Sequence, residues 1–187
     1  MTHQLNFIYN DSDWVAPSEY PDLSQATEIA IDLETKDPNI KTKGPGWATF
    51  DGAIVGFAVA ALGQQWYFPI QHDAGGNMDL AITTAWMQDI LKTDATKIFH
   101  NASYDVGWLL VNGFEINGKI VDTMIAAAII NENRFSFSLN ACAKDYLGEI
   151  KNETFLNEKA KEWGIDPKAD MWRLPAGYVG FYAEQDA

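Results

Sequence analysis

The chain has 187 residues, 26 of them acidic and 13 basic, for a formal net charge of −13. Hydrophobic residues make up 47% and charged residues 21%, which suits one soluble domain with a real core and excludes a solvated coil. The acidic balance argues against a strong stand-alone nucleic-acid binder, whose footprint is basic, but not against a protein that gathers hard cations on carboxylates.

Residues 1–25 read as a polar leader with Pro17, Pro21 and several aspartates, and Phe7, Ile8 and Trp14 are expected to pin it to the domain surface. The domain proper is expected over residues 26–187. Thr27 to Leu33 alternates, with Ile29, Ile31 and Leu33 on one face, and predicts a strand. Lys36 to Asp51, rich in Pro, Gly and Lys, predicts a long loop. Ala53 to Ala60 and Gln65 to Ile70 predict two strands in a hairpin, because only Ala61 to Gln64 separate them. Gly75 and Gly76 supply a turn, and Asp79 caps a helix through Leu91 whose buried stripe is expected to be Leu80, Trp86, Met87, Ile90 and Leu91. A short strand (Lys97 to Phe99) and a helix (Ser103 to Val111) follow, with Gly113 ending the helix. Lys119 to Val121 predicts the last strand, and Asp122 starts a helix through Ile130. Further helices are expected at Ser138–Leu147, Thr154–Trp163 and from Tyr178 onward.

Strands with a hairpin, then strand–helix alternation, then helices describe an α/β domain with a mixed sheet flanked by helices. Cys142 lies in an amphipathic helix and is expected to be a small core residue, and no Cys/His spacing suits zinc. Met124 to Ile130 is apolar but far too short for a membrane span. No basic segment with a following apolar run opens the chain, so a reducing cytoplasm and no membrane partner are expected. Asp186 falls inside the last predicted helix, so the chain is expected to be a fragment of something longer.

Three short patterns carry the chemistry. Asp32 and Glu34, in Ile-Asp-Leu-Glu-Thr, leave the same face of a predicted strand. Two converging carboxylates repel unless a cation lies between them. The spacing alone says little, since Asp11/Asp13 and Glu184/Asp186 repeat it, and a solvated strand end remains an alternative. Asp105, in His-Asn-Ala-Ser-Tyr-Asp, opens a helix, where the macrodipole also favours an acid. His100 beside it is read as a hydrogen-bonded structural residue. Tyr182 and Asp186, in Tyr-Ala-Glu-Gln-Asp, are four apart and share a helical face. With an ordinary pKa near ~10, Tyr182 stays a phenol at neutral pH and can orient water.

In this order the patterns resemble the 3′–5′ proofreading exonuclease domain of family-A DNA polymerases, especially bacteriophage ones, in the tyrosine subtype of the four-acid (DEDD) superfamily. The resemblance runs from about Glu28 to Ala187. It extends to Val-Asp-Thr-Met (Val121 to Met124), Asn-Glu-Asn-Arg (Asn131 to Arg134), Ser-Leu-Asn-Ala (Ser138 to Ala141) and Tyr-Leu-Gly-Glu (Tyr146 to Glu149). Asp37 to Gly46 and Phe-Pro-Ile-Gln-His (Phe68 to His72) are phage-like. The position at which the histidine subtype carries its histidine is Phe181 here, which points to the tyrosine subtype.

The resemblance implies an RNase H-like fold with a mixed five-stranded sheet and two Mg²⁺ ions, with Mn²⁺ as a substitute. Asp32, Glu34 and Asp186 resemble the ligands of one ion, and Asp32 and Asp105 those of the second. Tyr182 resembles the tyrosine that orients the nucleophile together with Glu34. Thr35 and Asn101 resemble residues contacting the terminal nucleotide. Phe155 resembles an aromatic that packs on a base, although a helix core position explains it equally well. The implied substrate is a single-stranded or frayed 3′ DNA end, the product a nucleoside 5′-monophosphate, and the implied partner a polymerase domain in the same full-length chain. For a viral protein the compartment is the host cytoplasm. An RNA-directed exonuclease of the same superfamily would use the same residues. A catalytically silent module is disfavoured because all four acids and the tyrosine are present, and a two-acid glycosidase explains neither the motif order nor Tyr182.

Overall fold

A computed structural model describes residues 12–187. The proposed anchors Phe7 and Ile8 lie outside the described residues. Trp14 lies inside them: it is buried, and its indole Nε1 donates to Glu184 Oε1 at 2.9 Å.

The elements run β1 (Glu28–Lys36), α1 (Ile40–Lys43), α2 (Gly46–Thr49), β2 (Ala53–Ala61), β3 (Gln64–Pro69), α3 (Leu80–Leu91), β4 (Thr96–Phe99), α4 (Ala102–Val111), β5 (Ile120–Asp122), α5 (Thr123–Ile130), α6 (Leu139–Leu147), α7 (Thr154–Trp163), a 3-10 turn (Met171–Arg173) and α8 (Ala176–Glu184). The five strands form one mixed sheet in the order β3-β2-β1-β4-β5, as expected. β1 is central. It is antiparallel to β2 and parallel to β4, which is in turn parallel to β5. The β2–β3 hairpin turns on Leu62 and Gly63, whose φ angles of 54° and 74° are both positive. A tight two-residue turn needs that hand to match the strand twist.

Side-chain alternation gives the sheet two different faces. Ile29, Ile31 and Leu33 of β1 join Phe57, Val59 and Phe68, and Met87, Leu91, Trp108 and Leu109 from α3 and α4 cover them. Each such fully buried side chain contributes roughly 1.5–3 kcal/mol of transfer free energy. The other face carries Ala58 and Tyr67 beneath Val179 and Ala183 of α8, with Trp14 and Leu156 alongside. Ala58 pairs with Asp32 in the β1–β2 register, so the acidic positions of β1 open onto this second face, beside α8.

Several expectations need correction. Leu80 of α3 is exposed, and the buried position is Thr83, whose hydroxyl meets Tyr20 Oη at 2.7 Å. A polar partner across the interface thus replaces an apolar one. The stretch from Lys36 to Asp51 is not a plain loop: Lys36 ends β1, and α1 and α2 are each a single helical turn. Buried Asp37 builds them, its Oδ2 accepting from Gly46 N at 2.9 Å and from Tyr104 Oη at 3.0 Å. A Cβ on Gly107 would lie 2.5 Å from the Trp47 ring, so this glycine lets the segment lie flat on α4. The last helix starts after Pro175 at Ala176 and ends at Glu184, so Asp186 sits in the turn beyond it. That turn still winds helically, with Asp186 N donating to Ala183 O at 3.0 Å.

Candidate active site

β1 delivers Asp32 and Glu34 to the second face of the sheet, and its register with β2 slips between Glu34 and Thr35. Such a bulge re-aims the side chains that follow. Gly56 stands opposite Glu34. Asp105 enters from the first turn of α4, and its Oδ1 accepts from the backbone N of Leu33 at 3.3 Å, between the two acids of β1. α8 brings Asp186 and Tyr182 over the same spot. Carboxylate oxygens of Asp32, Glu34 and Asp186 all lie within 4.8 Å of one another. Asp105 stands outside that trio but is close enough to act on Asp32 electrostatically.

The electrostatics follow from crowding acids in a partly dry space. Burial, then the charges of Asp105, Glu34 and Asp186, hold the Asp32 carboxyl well above the usual carboxylate range. Burial and then Asp186 push Glu34 up to about 8. Burial raises Asp105 to about 7, offset by backbone N–H donors and reinforced by Asp122. Asp186 is raised by burial but restrained by Lys151 and by a hydrogen bond from Tyr182. Burial, then Asp186 and Glu34, push the Tyr182 phenol further up, so it keeps its proton. Glu34 Oε1 is buried with no hydrogen-bond partner. An orphaned carboxylate oxygen beside two other acids fits a divalent cation, because hard oxygen donors converge there with no proton donor in place.

The cleft over these groups encloses about 220 Å³ and is lined by Asp32, His100, Lys151, Glu153, Tyr182 and Asp186, among others. His100 is structural, as expected: Nδ1 meets Thr123 Oγ1 and Nε2 meets the Phe137 carbonyl, both at 2.8 Å. The three expected nucleotide-contacting residues are placed differently from one another. The Thr35 hydroxyl meets Tyr104 Oη at 2.8 Å. Asn101 holds a left-handed backbone with φ 70°, and its side chain accepts from Ser103 Oγ at 3.1 Å. Phe155 is half-buried and packs edge-on against Tyr178, with ring centroids 5.8 Å apart.

One contributor is absent from the sequence reading, and another does more there than start a helix. Lys151 ion-pairs with Asp186 and lies 3.1 Å from the centroid of the Tyr182 ring. Nothing in Glu-Ile-Lys-Asn-Glu signals this, because it depends on how the α6–α7 connection folds back. Asp122 accepts from the backbone N of Ala102 and of Met124, each at 2.9 Å, and so fastens the starts of α4 and α5 together. Its signal was present in Val-Asp-Thr-Met, as a capping acid between a strand and a helix.

Three acids from one strand and one helix end, with a fourth acid and a phenol beside them, form a site suited to divalent cations. The comparisons agree. A 3′–5′ exonuclease domain profile of DNA polymerase family A matches residues 19–187, and the chain belongs to that family. It is 37% identical over 187 residues to a DNA-directed DNA polymerase of Pseudomonas phage M6, covering 96% of this chain and 28% of that protein. It is 30% identical over 175 residues to the DNA polymerase DpoZ of Salmonella phage PMBT28, covering 90% of this chain and 26% of that one. The chain thus spans about a quarter of the length of these relatives. Among solved structures, the catalytic core of RRP6 from Trypanosoma brucei matches with a TM-score of 0.60 at 22% identity, over 88% of this chain and 39% of that one. Brucella melitensis NrnC with bound Mg²⁺ matches with a TM-score of 0.57 at 18% identity, over 89% and 69%. These two likenesses speak for the RNase H-like fold.

Proposed function

We propose that this chain is the proofreading module of a phage DNA polymerase, hydrolysing the terminal phosphodiester of a frayed 3′ DNA end with two divalent ions, Mg²⁺ or Mn²⁺. The observation that carries this reading is the convergence of Asp32, Glu34 and Asp186 within 4.8 Å, with one buried oxygen of Glu34 unpaired. Asp32, Glu34 and Asp186 would hold one ion, and Asp32 with Asp105 the other. Bound divalent ions would supply the positive charge that acidifies water and neutralises a leaving oxygen.

The chain's own groups do the positioning. Tyr182 keeps its phenolic proton at neutral pH and donates it in a hydrogen bond to Asp186, which leaves the phenolic oxygen to accept from, and so orient, the attacking water together with Glu34. Asp105 is held rigid by the Leu33 amide, so the second carboxylate pair is set before substrate arrives. Asn101, Thr35 and Phe155 would contact the terminal nucleotide. Here Thr35 acts through its backbone, because its hydroxyl is engaged by Tyr104. The unpaired terminus fits because the acids lie in a cleft rather than on an open face, and a base-paired end would first have to unstack.

The relatives at 30% identity and above are DNA polymerases, which favours DNA over RNA as substrate. Their greater length supports a polymerase body as the partner. So does α5, an almost wholly apolar helix whose Ile125, Ile129 and Ile130 are exposed. Among the described residues no helix is long and apolar enough to cross a membrane. The host-cell cytoplasm is the proposed compartment.

Labelled DNA and RNA oligomers of one sequence test the reading. With Mg²⁺ the 3′ single-stranded DNA end should shorten stepwise, EDTA should stop it, and Asp32→Ala and Asp105→Ala should abolish it. Undiminished digestion by both variants would falsify the assignment, and preference for the RNA oligomer would move it to the ribonuclease branch.

A further inference from the structure

We propose that Lys151 is a resident counter-cation of the carboxylate cluster, a charge that divalent ions displace on entering and that therefore weakens metal binding in the absence of DNA. This rests on the metal reading above and adds a competitor to it. The Lys151 ammonium pairs with Asp186 Oδ2, and both side chains are largely enclosed, at 6% and 12% exposure. It also lies 3.1 Å from the centroid of the Tyr182 ring, so one cation engages both an acid and the phenol of the proposed site. Its charge reaches Asp32 and Glu34 as well. Fully ionised, the three carboxylates would carry −3, and one ammonium would leave −2. Without an ion in place, Lys151 shares the relief of that repulsion with protons held on Asp32 and Glu34.

The segment is built so that the ammonium can leave while its backbone stays. The connection between α6 and α7 is irregular, and Gly148 enters it with φ 74°. One residue after Lys151, Asn152 N donates to Gln185 Oε1 at 2.9 Å, which ties the backbone to the end of α8. Glu153 is tied by Asn140 Nδ2 and Lys168 Nζ, both at 3.2 Å. With the residues just after it anchored, only the four-carbon stem of Lys151 has to swing. A dication and an ammonium cannot share Asp186 without strong repulsion, so metal entry moves the stem and uncovers the Tyr182 ring. The tyrosine thereby becomes available to substrate only when the cluster holds metal.

Mn²⁺ titration of the DNA-free protein, followed by calorimetry and by the electron paramagnetic resonance of free Mn²⁺, tests this. Lys151→Met keeps the stem and removes the charge, and should bind Mn²⁺ on the order of tenfold more tightly than wild type. Lys151→Gln should follow in the same direction, and Lys151→Arg should bind no more tightly than wild type. Saturable binding of equal or lower strength in folded Lys151→Met and Lys151→Gln overturns the counter-cation. Absence of saturable Mn²⁺ binding in wild type and both variants overturns the metal site itself, and this inference with it.

Discussion

Tyr67 Oη and His72 Nε2 share a hydrogen bond of 2.7 Å on the sheet face that carries the acids. The other ring nitrogen of His72 lies 2.9 Å from the Leu174 carbonyl, which can only accept, so Nδ1 carries the proton. Nε2 is then the acceptor and Tyr67 the donor, and the imidazole is neutral. The pair links β3 to the residue that leads into α8. The Tyr67 ring also crowds Gly56, since a Cβ there would fall 2.3 Å from the phenolic oxygen, and Gly56 is the partner of Glu34. One buried polar pair thus joins the floor of the site to the helix that completes it.

That pair makes stability depend on pH. Burial pushes His72 down to about 4, although the Leu174 carbonyl opposes the shift. A histidine depressed in the folded state stays neutral there while the unfolded chain takes up a proton near pH ~6.5. Its contribution is therefore complete above about pH 6.5 and is lost as pH falls toward 4. The loss amounts to roughly 3 kcal/mol. Urea unfolding of wild type and His72→Gln should show their stability difference shrinking by about that amount over this window.

The carboxylate cluster titrates with the opposite sign. Asp32, Glu34 and Asp105 are all raised in the folded protein, the latter two to about 8 and about 7. A raised acid costs nothing below its unfolded pKa and costs progressively more as pH climbs through the folded value. Metal-free protein should therefore lose stability between about pH 4 and 8 from this source. Saturating Mg²⁺ should restore it, by about 2.7 kcal/mol at a hundredfold excess over Kd. Thermal unfolding at pH 8 with and without Mg²⁺ measures this, and Asp32→Asn should erase the metal-dependent gain.

Asp122 offers a test of positioning rather than contact. Its carboxylate takes four backbone N–H groups, from Asn101, Ala102, Met124 and Ile125, at 2.9 to 3.3 Å. Loss of a capping acid costs about 1 kcal/mol per helix start, and two starts are served here. Asp122→Ala should cost about 2–4 kcal/mol and loosen the first turn of α4, which holds Asp105. Exonuclease turnover should fall well below that of Asp122→Asn, while chemical denaturation reports how much of the loss is folding.

Much of this was legible in the sequence for a physical reason. Alternation in Ile29, Ile31 and Leu33 fixes which face of β1 is dry, so Asp32 and Glu34 must share the other. Asp79 announces its helix because a cap acts locally, and its carboxylate does accept from Ile82 N at 2.9 Å. Contacts made across the fold gave no such signal. Lys151 meets Asp186 only because the α6–α7 connection returns to α8. Thr83 is buried because Tyr20, 63 residues earlier in the chain, supplies its partner. Asp186 lies two residues past the end of α8, yet the turn keeps it beside Tyr182, so a wrong boundary left the site intact.

The Thr35–Tyr104–Asp37 chain allows a sharper question about substrate contact. Tyr104 donates to Asp37 Oδ2 at 3.0 Å, so its oxygen must accept the proton of Thr35 Oγ1 at 2.8 Å. Burial and the Asp37 charge raise the phenol to about 12, although the Thr35 bond pulls the other way, so it stays protonated throughout the working range. Tyr104→Phe breaks both bonds, frees the threonine hydroxyl and leaves the Asp37 carboxylate with Gly46 N as its remaining donor. Loss of a hydrogen bond to a charged group costs about 1.5–3 kcal/mol. The variant should be destabilised by that amount and should bind Mn²⁺ as wild type does, because no cluster acid loses a partner. If Thr35 acts through its backbone, KM for single-stranded DNA should change less than twofold. A large fall in KM would instead show that the threonine hydroxyl binds the nucleotide once Tyr104 releases it.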